Sequence, residues 1–467
     1  MATPLLFDGS MLMPSLRNLL VVAFLLFPCI AFAADPYAVP VPTASTTNAP
    51  AATPPATTSV PTLSVVPEKS SGVFQPNEKI VWDVKVTSDT AAAIKEASYT
   101  LKKGGAAVIG QGKLTFVDGV AKLETSLDGP GTILAEITVP NPGQKDLKGL
   151  GGAAVAPDQL KPSAPCPDDF DAFWKSKLDL LATIPPNAVL EKGDSGRPNV
   201  DYWKITLDNI NGTHVQGQLA RPAGDKKLPA LLVVQWAGVY PLQKNWAVDH
   251  AAEGWLVLNI MAHDLPIDQP KEYYDELSKT TLKNYTGIGS DDREKSYFLR
   301  MFLGDVQAAN YLASRPDWDG KTLVVTGGSQ GGMQSFAAAA LDPKITGMAV
   351  MVPAGCDNTG RLAGRQPGWP YWKDEKQAMD TSRYFDPVNF ASRIKCPVLV
   401  GLGLIDVTAP PSGIFTAINQ LQVPKEIVVM PLSEHQSKNN SQAPYYSRSG
   451  AWLSALRTTG APPAPKP

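Results

Sequence analysis

Residues Lys321–Ser335 read KTLVVTGGSQGGMQS, and the interpretation of the whole chain depends on them. A short β-branched run, Leu323-Val324-Val325-Thr326, leads into Gly327-Gly328-Ser329-Gln330-Gly331-Gly332. A small-residue helical pattern follows, Ser335-Phe336-Ala337-Ala338-Ala339-Ala340. Strand, sharp turn and helix around Gly-x-Ser-x-Gly is the setting of a nucleophile elbow. The glycines suit it because the serine backbone is strained and the strand and helix pass close on either side. The helix N-terminus behind Ser329 favours negative charge developing beside it. The competing interpretation is an ordinary glycine-rich turn from strand to helix.

Around this turn, continuous apolar runs alternate with helical stretches. The strand-like runs are Val200–Leu207, Val215–Arg221, Leu228–Val234, Trp255–Ile260, Leu323–Thr326, Met348–Val352, Val398–Leu402 and Glu426–Met430. The fully apolar runs among them, Leu228–Val234 above all, predict strands buried on both faces, as in a mostly parallel, doubly wound sheet. Pro167–Lys175 predicts an amphipathic helix with acidic residues in its first turn. The predicted class is therefore α/β, an α/β-hydrolase fold over residues 166–457.

The chain before it has a different texture. Arg17, the apolar run Leu19–Phe27 and Ala31-Phe32-Ala33 predict a signal peptide over residues 1–33, translation starting at Met1 or at Met11 or Met13. Pro28-Cys29 does not suit a lipoprotein box, so release to the outside or the periplasm is expected. Residues 34–61, mostly Ala, Pro, Thr and Val, predict an extended linker. Over residues 62–140, short alternating strands separated by Lys103-Gly104-Gly105, Asp118-Gly119 and Asp128-Gly129-Pro130-Gly131 predict a small immunoglobulin-like β-sandwich. It shows no catalytic cluster; a spacer or an oligomerisation module is the expectation, carbohydrate binding the alternative. Residues 141–165 predict a second connector, and 458–467 a disordered tail.

A net charge of −2 gives no electrostatic case for nucleic acid or an anionic membrane. No run after the signal segment approaches the roughly 18 apolar residues of a membrane span. With Cys29 in the signal segment, Cys166, Cys356 and Cys396 remain, an odd set that allows at most one disulfide.

A serine hydroxyl needs a base, and the base an orienting acid. In this fold the chain order is serine, acid, histidine. Of four histidines only His435 follows the elbow, just after the last apolar strand. Asp406 directly follows the penultimate strand and is the predicted acid; its rival, Asp386, opens Asp386-Pro387-Val388-Asn389 and reads as a helix cap. The oxyanion donors are expected at the N–H of Gln330 and at the loop Trp236-Ala237-Gly238-Val239-Tyr240, with Val239 favoured. His214 and His250 read as structural, and His263 as a residue at the site mouth. Within Gly360–Asp380, the residues Arg361, Arg365, Trp369, Tyr371 and Trp372 are the candidates for lining the site, with a packed lid as the alternative. No metal-ligand spacing or phosphate loop appears, so neither metal nor cofactor is expected.

Taken together, four segments resemble the acetyl xylan esterase / cephalosporin C deacetylase family (carbohydrate esterase family seven). They are Pro167–Trp174; Ala313–Gly320 leading into Thr326–Gly332; Tyr384–Asp386 through Asn389–Ala391 to Cys396–Val398; and Gly403–Asp406 through Pro410-Pro411. The resemblance covers residues 165–457. It implies Ser329, Asp406 and His435 as a triad, Gln330 and Val239 as oxyanion donors, and an acetylated carbohydrate or small ester as substrate. Two positions depart from the family pattern: His263-Asp264-Leu265 replaces Arg-Gly-Gln, and Gln436 replaces Glu after the base. The first departure and the added β-domain leave the family's ring-like hexamer open, though a homo-oligomer is still an option. The function expected is a serine esterase removing acetyl groups from plant-type polysaccharide. The alternatives are a feruloyl or xenobiotic carboxylesterase on the same fold, and a sugar-binding protein on an inactive scaffold.

Overall fold

The structure, a computed structural model, describes residues 61–88, 94–141 and 143–465. The signal segment and almost all of the expected linker 34–61 lie outside the described residues.

Eight strands come first: β1 (Thr62–Pro67), β2 (Val73–Phe74), β3 (Ile80–Thr87), β4 (Glu96–Lys103), β5 (Ala107–Thr115), β6 (Val120–Thr125), β7 (Gly131–Val139) and β8 (Leu147–Val155). They form a three-stranded sheet, β1-β3-β6, and a five-stranded sheet, β2-β8-β7-β4-β5. Alternation along the strands turns Ile80, Trp82, Val84 and Val86 of β3, and Ile133, Ala135, Ile137 and Val139 of β7, into one shared apolar core.

Strand β8 falls inside the segment expected to be a connector. Its Gly149-Gly151-Gly152 composition reads as a flexible link, but each glycine sits where a side chain has no room. A Cβ on Gly151 would lie 2.6 Å from Val65 and 3.0 Å from the Trp82 indole. The glycines are there for close packing, and the residues pair with β7 along their whole length.

The second part contains β9 (Val189–Gly193), β10 (Val200–Asp208), β11 (His214–Pro222), β12 (Leu228–Val234), β13 (Leu256–Ile260), β14 (Trp318–Gly328), β15 (Gly347–Met351), β16 (Val398–Gly403) and β17 (Lys425–Met430). They build one nine-stranded sheet in the order β17-β16-β15-β14-β12-β13-β11-β10-β9. The pairs from β17 to β13 are parallel, and β11, β10 and β9 continue antiparallel at one edge. Parallel neighbours need crossovers, and the helices that supply them cover both faces, which is why β12 and β16 are apolar along their whole length and β13 is buried throughout, with Asn259 its one polar residue. The helices are α1 (Phe170–Ala182), α2 (Asn245–Glu253), α3 (Lys271–Lys279), α4 (Tyr297–Ser314), α5 (Gln330–Leu341), α6 (Lys376–Ser382), α7 (Pro387–Ala391), α8 (Pro411–Gln420) and α9 (Ala443–Thr459). α1 and α4 bury Phe170, Trp174, Phe298 and Phe302 on one face, while α2 and α9 bury Val248, Trp452 and Leu456 on the other.

Three smaller findings complete the fold. The carboxyl-terminal segment expected as a disordered tail continues α9 to Thr459, and the Ala464 carbonyl accepts from Arg448 Nη2 at 2.6 Å. Cys166, Cys356 and Cys396 are all free thiols. Among the described residues no helix is long and apolar enough to cross a membrane.

Candidate active site

Ser329 occupies the turn between β14 and α5, with φ 54° and ψ −118°. A left-handed φ on a serine is strained, and three backbone hydrogen bonds hold it there. Its N–H donates to the Met351 carbonyl at 2.9 Å, and its carbonyl accepts from Ala354 at 2.9 Å and Met333 at 3.2 Å. The flanking glycines are needed for clearance. A Cβ on Gly327 would meet the Gly331 carbonyl carbon at 2.6 Å, and one on Gly331 would meet the Val234 carbonyl oxygen at 2.5 Å.

His435 lies in the loop between β17 and α9. Its Nε2 is 2.8 Å from Ser329 Oγ and its Nδ1 is 2.8 Å from Asp406 Oδ2. A carboxylate oxygen accepts, so Nδ1 carries the proton and Nε2 is left to accept from the serine hydroxyl. Asp406 follows β16, is buried, and fixes its other oxygen, Oδ1, with the N–H groups of Thr408 and Ala409, both at 2.8 Å. The acid and base loops are joined by the Ile405 N–H donating to the Ser433 carbonyl at 3.3 Å, and Gln442 Nε2 donates to the His435 carbonyl at 3.1 Å. The rival Asp386 accepts from the Val388 N–H at 2.9 Å and caps α7.

Beside Ser329, Gln330 opens α5, where first-turn N–H groups have no helical acceptor. The second expected donor, Val239, sits in the loop after β12, next to Gly238 at φ +133°. Buried amides support both. Gln330 Nε2 and Gln334 Nε2 donate to the Gln235 carbonyl at 3.4 and 2.9 Å, Gln235 Nε2 to Asn259 Oδ1 at 2.5 Å, and Asn259 Nδ2 to Gln218 Oε1 at 3.2 Å. This row fixes the Gln235 carbonyl just ahead of the loop that contains Val239 and gives the buried amides one another as partners.

The substrate-lining expectations need correction. His263 is not at an open mouth: it is 2% exposed, with Nε2 at 2.9 Å from the Gly238 carbonyl and Nδ1 at 2.7 Å from the Tyr297 hydroxyl. Burial pushes its pKa down to about 4. Arg365 is tied to Asp357, to Thr416 Oγ1 at 3.2 Å and to the Lys161 carbonyl at 2.8 Å, so its guanidinium is already used. Trp372 is 5% exposed and stacks on Phe385, a core position. Arg361 pairs with Asp374 and donates to the Trp372 carbonyl at 3.1 Å. Trp369 is attached to the acid loop through its N–H to the Thr408 carbonyl at 2.8 Å. Within this segment Tyr371 keeps an open face, at 54% exposure. Val407, next to Asp406, and Leu432, three residues before His435, are exposed as well and were not singled out by sequence. The two expected structural histidines are held by local carboxylates, His214 by Asp264 and His250 by Glu253.

A serine, a histidine and a carboxylate in line, next to a helix N-terminus, can pass a proton and form a covalent adduct at the serine. The sequence model for the family described as acetyl xylan esterase (AXE1) matches residues 158–454. An acetyl esterase of Xylanibacter ruminicola, Axe7A, is 29% identical over 380 residues, covering 79% of this chain and 86% of that protein. Among solved structures, an acetyl xylan esterase from Paenibacillus sp. R4 is 24% identical at a TM-score of 0.54, covering 64% of this chain and 98% of that one. Acetyl xylan esterase 1 from Thermoanaerobacterium sp. JW/SL YS485 is 24% identical at a TM-score of 0.55, covering 65% and 98%. These two likenesses carry the α/β-hydrolase fold of the large sheet.

Proposed function

The chain belongs to the acetyl xylan esterase family and is a carboxylic ester hydrolase, and from that premise we propose that it removes acetyl groups from acetylated xylan or its oligomers through a covalent acyl-enzyme on Ser329. Ser329 Oγ attacks the acetyl carbonyl while His435 Nε2 takes its proton. Asp406 holds the imidazole tautomer and balances the charge of the imidazolium. The N–H groups of Gln330 and Val239 receive the oxyanion. The tetrahedral adduct collapses, His435 returns the proton to the departing sugar hydroxyl, and water then cleaves the acyl-enzyme with the same groups.

The observation that carries this reading is the 2.8 Å and 2.8 Å pair of contacts that puts one imidazole between Ser329 and Asp406. The relatives' substrates supply the acetyl group and the xylan, and the exposed side chains of Tyr371, Val407 and Leu432 are the ones we assign to contact with a sugar ring. We assign export to the amino-terminal apolar segment on its composition alone. Acetate release from acetylated xylan by the wild type and by Ser329→Ala tests the reading, together with an acyl series from acetate to octanoate. Turnover retained by the variant, or a preference for long or aromatic acyl groups, overturns it.

A further inference from the structure

We propose that His263 and Tyr285 are positioning residues of the oxyanion site, holding the two N–H donors on separate elements at a fixed separation. The inference rests on the reading of Ser329 as nucleophile. The Gly238–Val239 peptide is trans, so its carbonyl and its N–H point in opposite directions. Anchoring the Gly238 carbonyl on one side therefore fixes where the Val239 N–H points on the other. The anchor is His263 Nε2 at 2.9 Å. A carbonyl can only accept, so Nε2 carries the proton, and Nδ1 must accept from the Tyr297 hydroxyl at 2.7 Å.

Tyr285 reaches the other donor. Its hydroxyl donates to Gln330 Oε1 at 2.5 Å, and the Gly238 N–H faces the same phenol oxygen. One phenol thus touches both the loop of Val239 and the side chain of the residue whose own N–H is the first donor. The rings of His263, Tyr285 and Tyr297 pack on one another, with centroids 4.8, 5.7 and 5.3 Å apart, so none can turn alone. His263 is one of the positions at which the chain departs from the family pattern, and its imidazole provides the single neutral N–H the Gly238 carbonyl needs. Neither side chain takes a proton in the reaction; they act through the two peptides.

The test compares Tyr285→Phe, His263→Leu and His263→Gln with the wild type and Ser329→Ala. The readouts are kcat and KM on p-nitrophenyl acetate and the affinity of a methyl trifluoromethyl ketone, whose free carbonyl is attacked by an active serine to give a hemiketal oxyanion as the base takes the hydroxyl proton. Displacing a donor should lower kcat roughly 10- to 100-fold in Tyr285→Phe and His263→Leu, with KM changed by less than about twofold. Ketone affinity should fall by the same factor, and His263→Gln, whose amide N–H can replace that of the imidazole, should recover most of both. Tyr285→Phe removes one oxygen from a packed ring, so it keeps the test meaningful even if His263→Leu fails to fold. Tyr285→Phe with wild-type kcat, or a fall in kcat without a matching fall in ketone affinity, overturns the proposal. If Ser329→Ala abolishes turnover while Tyr285→Phe leaves it intact, only the positioning role is lost; if Ser329→Ala remains active, the functional reading fails first.

Discussion

The Cβ that Gly152 lacks would sit 2.5 Å from the Leu404 carbonyl oxygen, so β8 of the amino-terminal sheets lies directly on the segment that ends, two residues later, in Asp406. Gly72, just ahead of β2, approaches the same Leu404 side chain and Pro431 at the start of the base loop. From the other end of the five-stranded sheet, the turn after β4 gives the Gly104 carbonyl to the Gln366 N–H at 2.8 Å, and Gln366 Nε2 in turn donates to the Val407 carbonyl at 2.7 Å. The amino-terminal strands thus touch the loops of Asp406 and His435 from two directions. Gly152→Val should destabilise the protein by about 1–3 kcal/mol through overpacking and also lower kcat, because the displaced backbone leads into Asp406. Urea unfolding and kcat measured on the folded fraction check both; unchanged kcat per folded molecule would mean the contact is structural only.

Asp406→Asn separates orientation from packing. The amide oxygen can still accept from the Thr408 and Ala409 N–H groups, so the loop should keep its shape. The amide NH₂ facing His435 Nδ1 favours the tautomer with its proton on Nε2, which cannot accept from Ser329. A fall in kcat of roughly 10³–10⁴-fold is expected, with little change in thermal midpoint. Kinetics on p-nitrophenyl acetate beside a thermal melt would show it.

Asp317 should matter for stability and not for chemistry. It is buried and accepts from Arg315 through Nε at 2.8 Å and Nη2 at 2.7 Å, and from Arg221 Nη1 at 2.7 Å. The two guanidiniums hold its carboxyl below the ordinary range despite burial. Removing one partner of a buried ionic cluster leaves the others uncompensated, so Asp317→Ala should cost about 3–5 kcal/mol in chemical denaturation. Its kcat per folded molecule should match the wild type.

How much of this could be read in the sequence follows from whether the signal is local. Strands β12 and β16 are legible because burial on both faces leaves an uninterrupted apolar run, and β13 because its run is broken only by Asn259. The elbow is legible because clearance forces glycine at fixed spacing around Ser329. Strand β8 is not: its glycines answer to Val65, Trp82 and Leu404, residues far away in the chain, and by themselves they read as a link. Arg365 and Trp372 looked free for substrate because nothing near them in sequence points to Asp357 or Phe385 as partners in the fold. Tyr285 gave no sequence signal, since its partners Gln330 and Gly238 come from separate elements.

His263 gives the protein a predictable weakness in acid. Its folded pKa is depressed from an ordinary 6.5 to about 4, first by burial and then by the Arg300 guanidinium, against the opposing pull of the Gly238 carbonyl. Above pH 6.5 the imidazole is neutral in both folded and unfolded chains, so it imposes no pH-dependent penalty. As pH falls from 6.5 to about 4, the unfolded chain takes up a proton that the folded chain refuses, and stability falls with pH across that window. Below about 4 both states are protonated and the loss is complete, at most about 3 kcal/mol for a shift of this size. His263→Gln removes the titrating group while keeping an N–H within reach of Gly238. Urea unfolding at pH 7 and at pH 4.5 should therefore show a smaller drop in stability for the variant than for the wild type, by roughly 2–3 kcal/mol. Equal drops in the two proteins would mean that the imidazole is protonated inside the fold, with its Nδ1 donating to the Tyr297 oxygen instead of accepting from it.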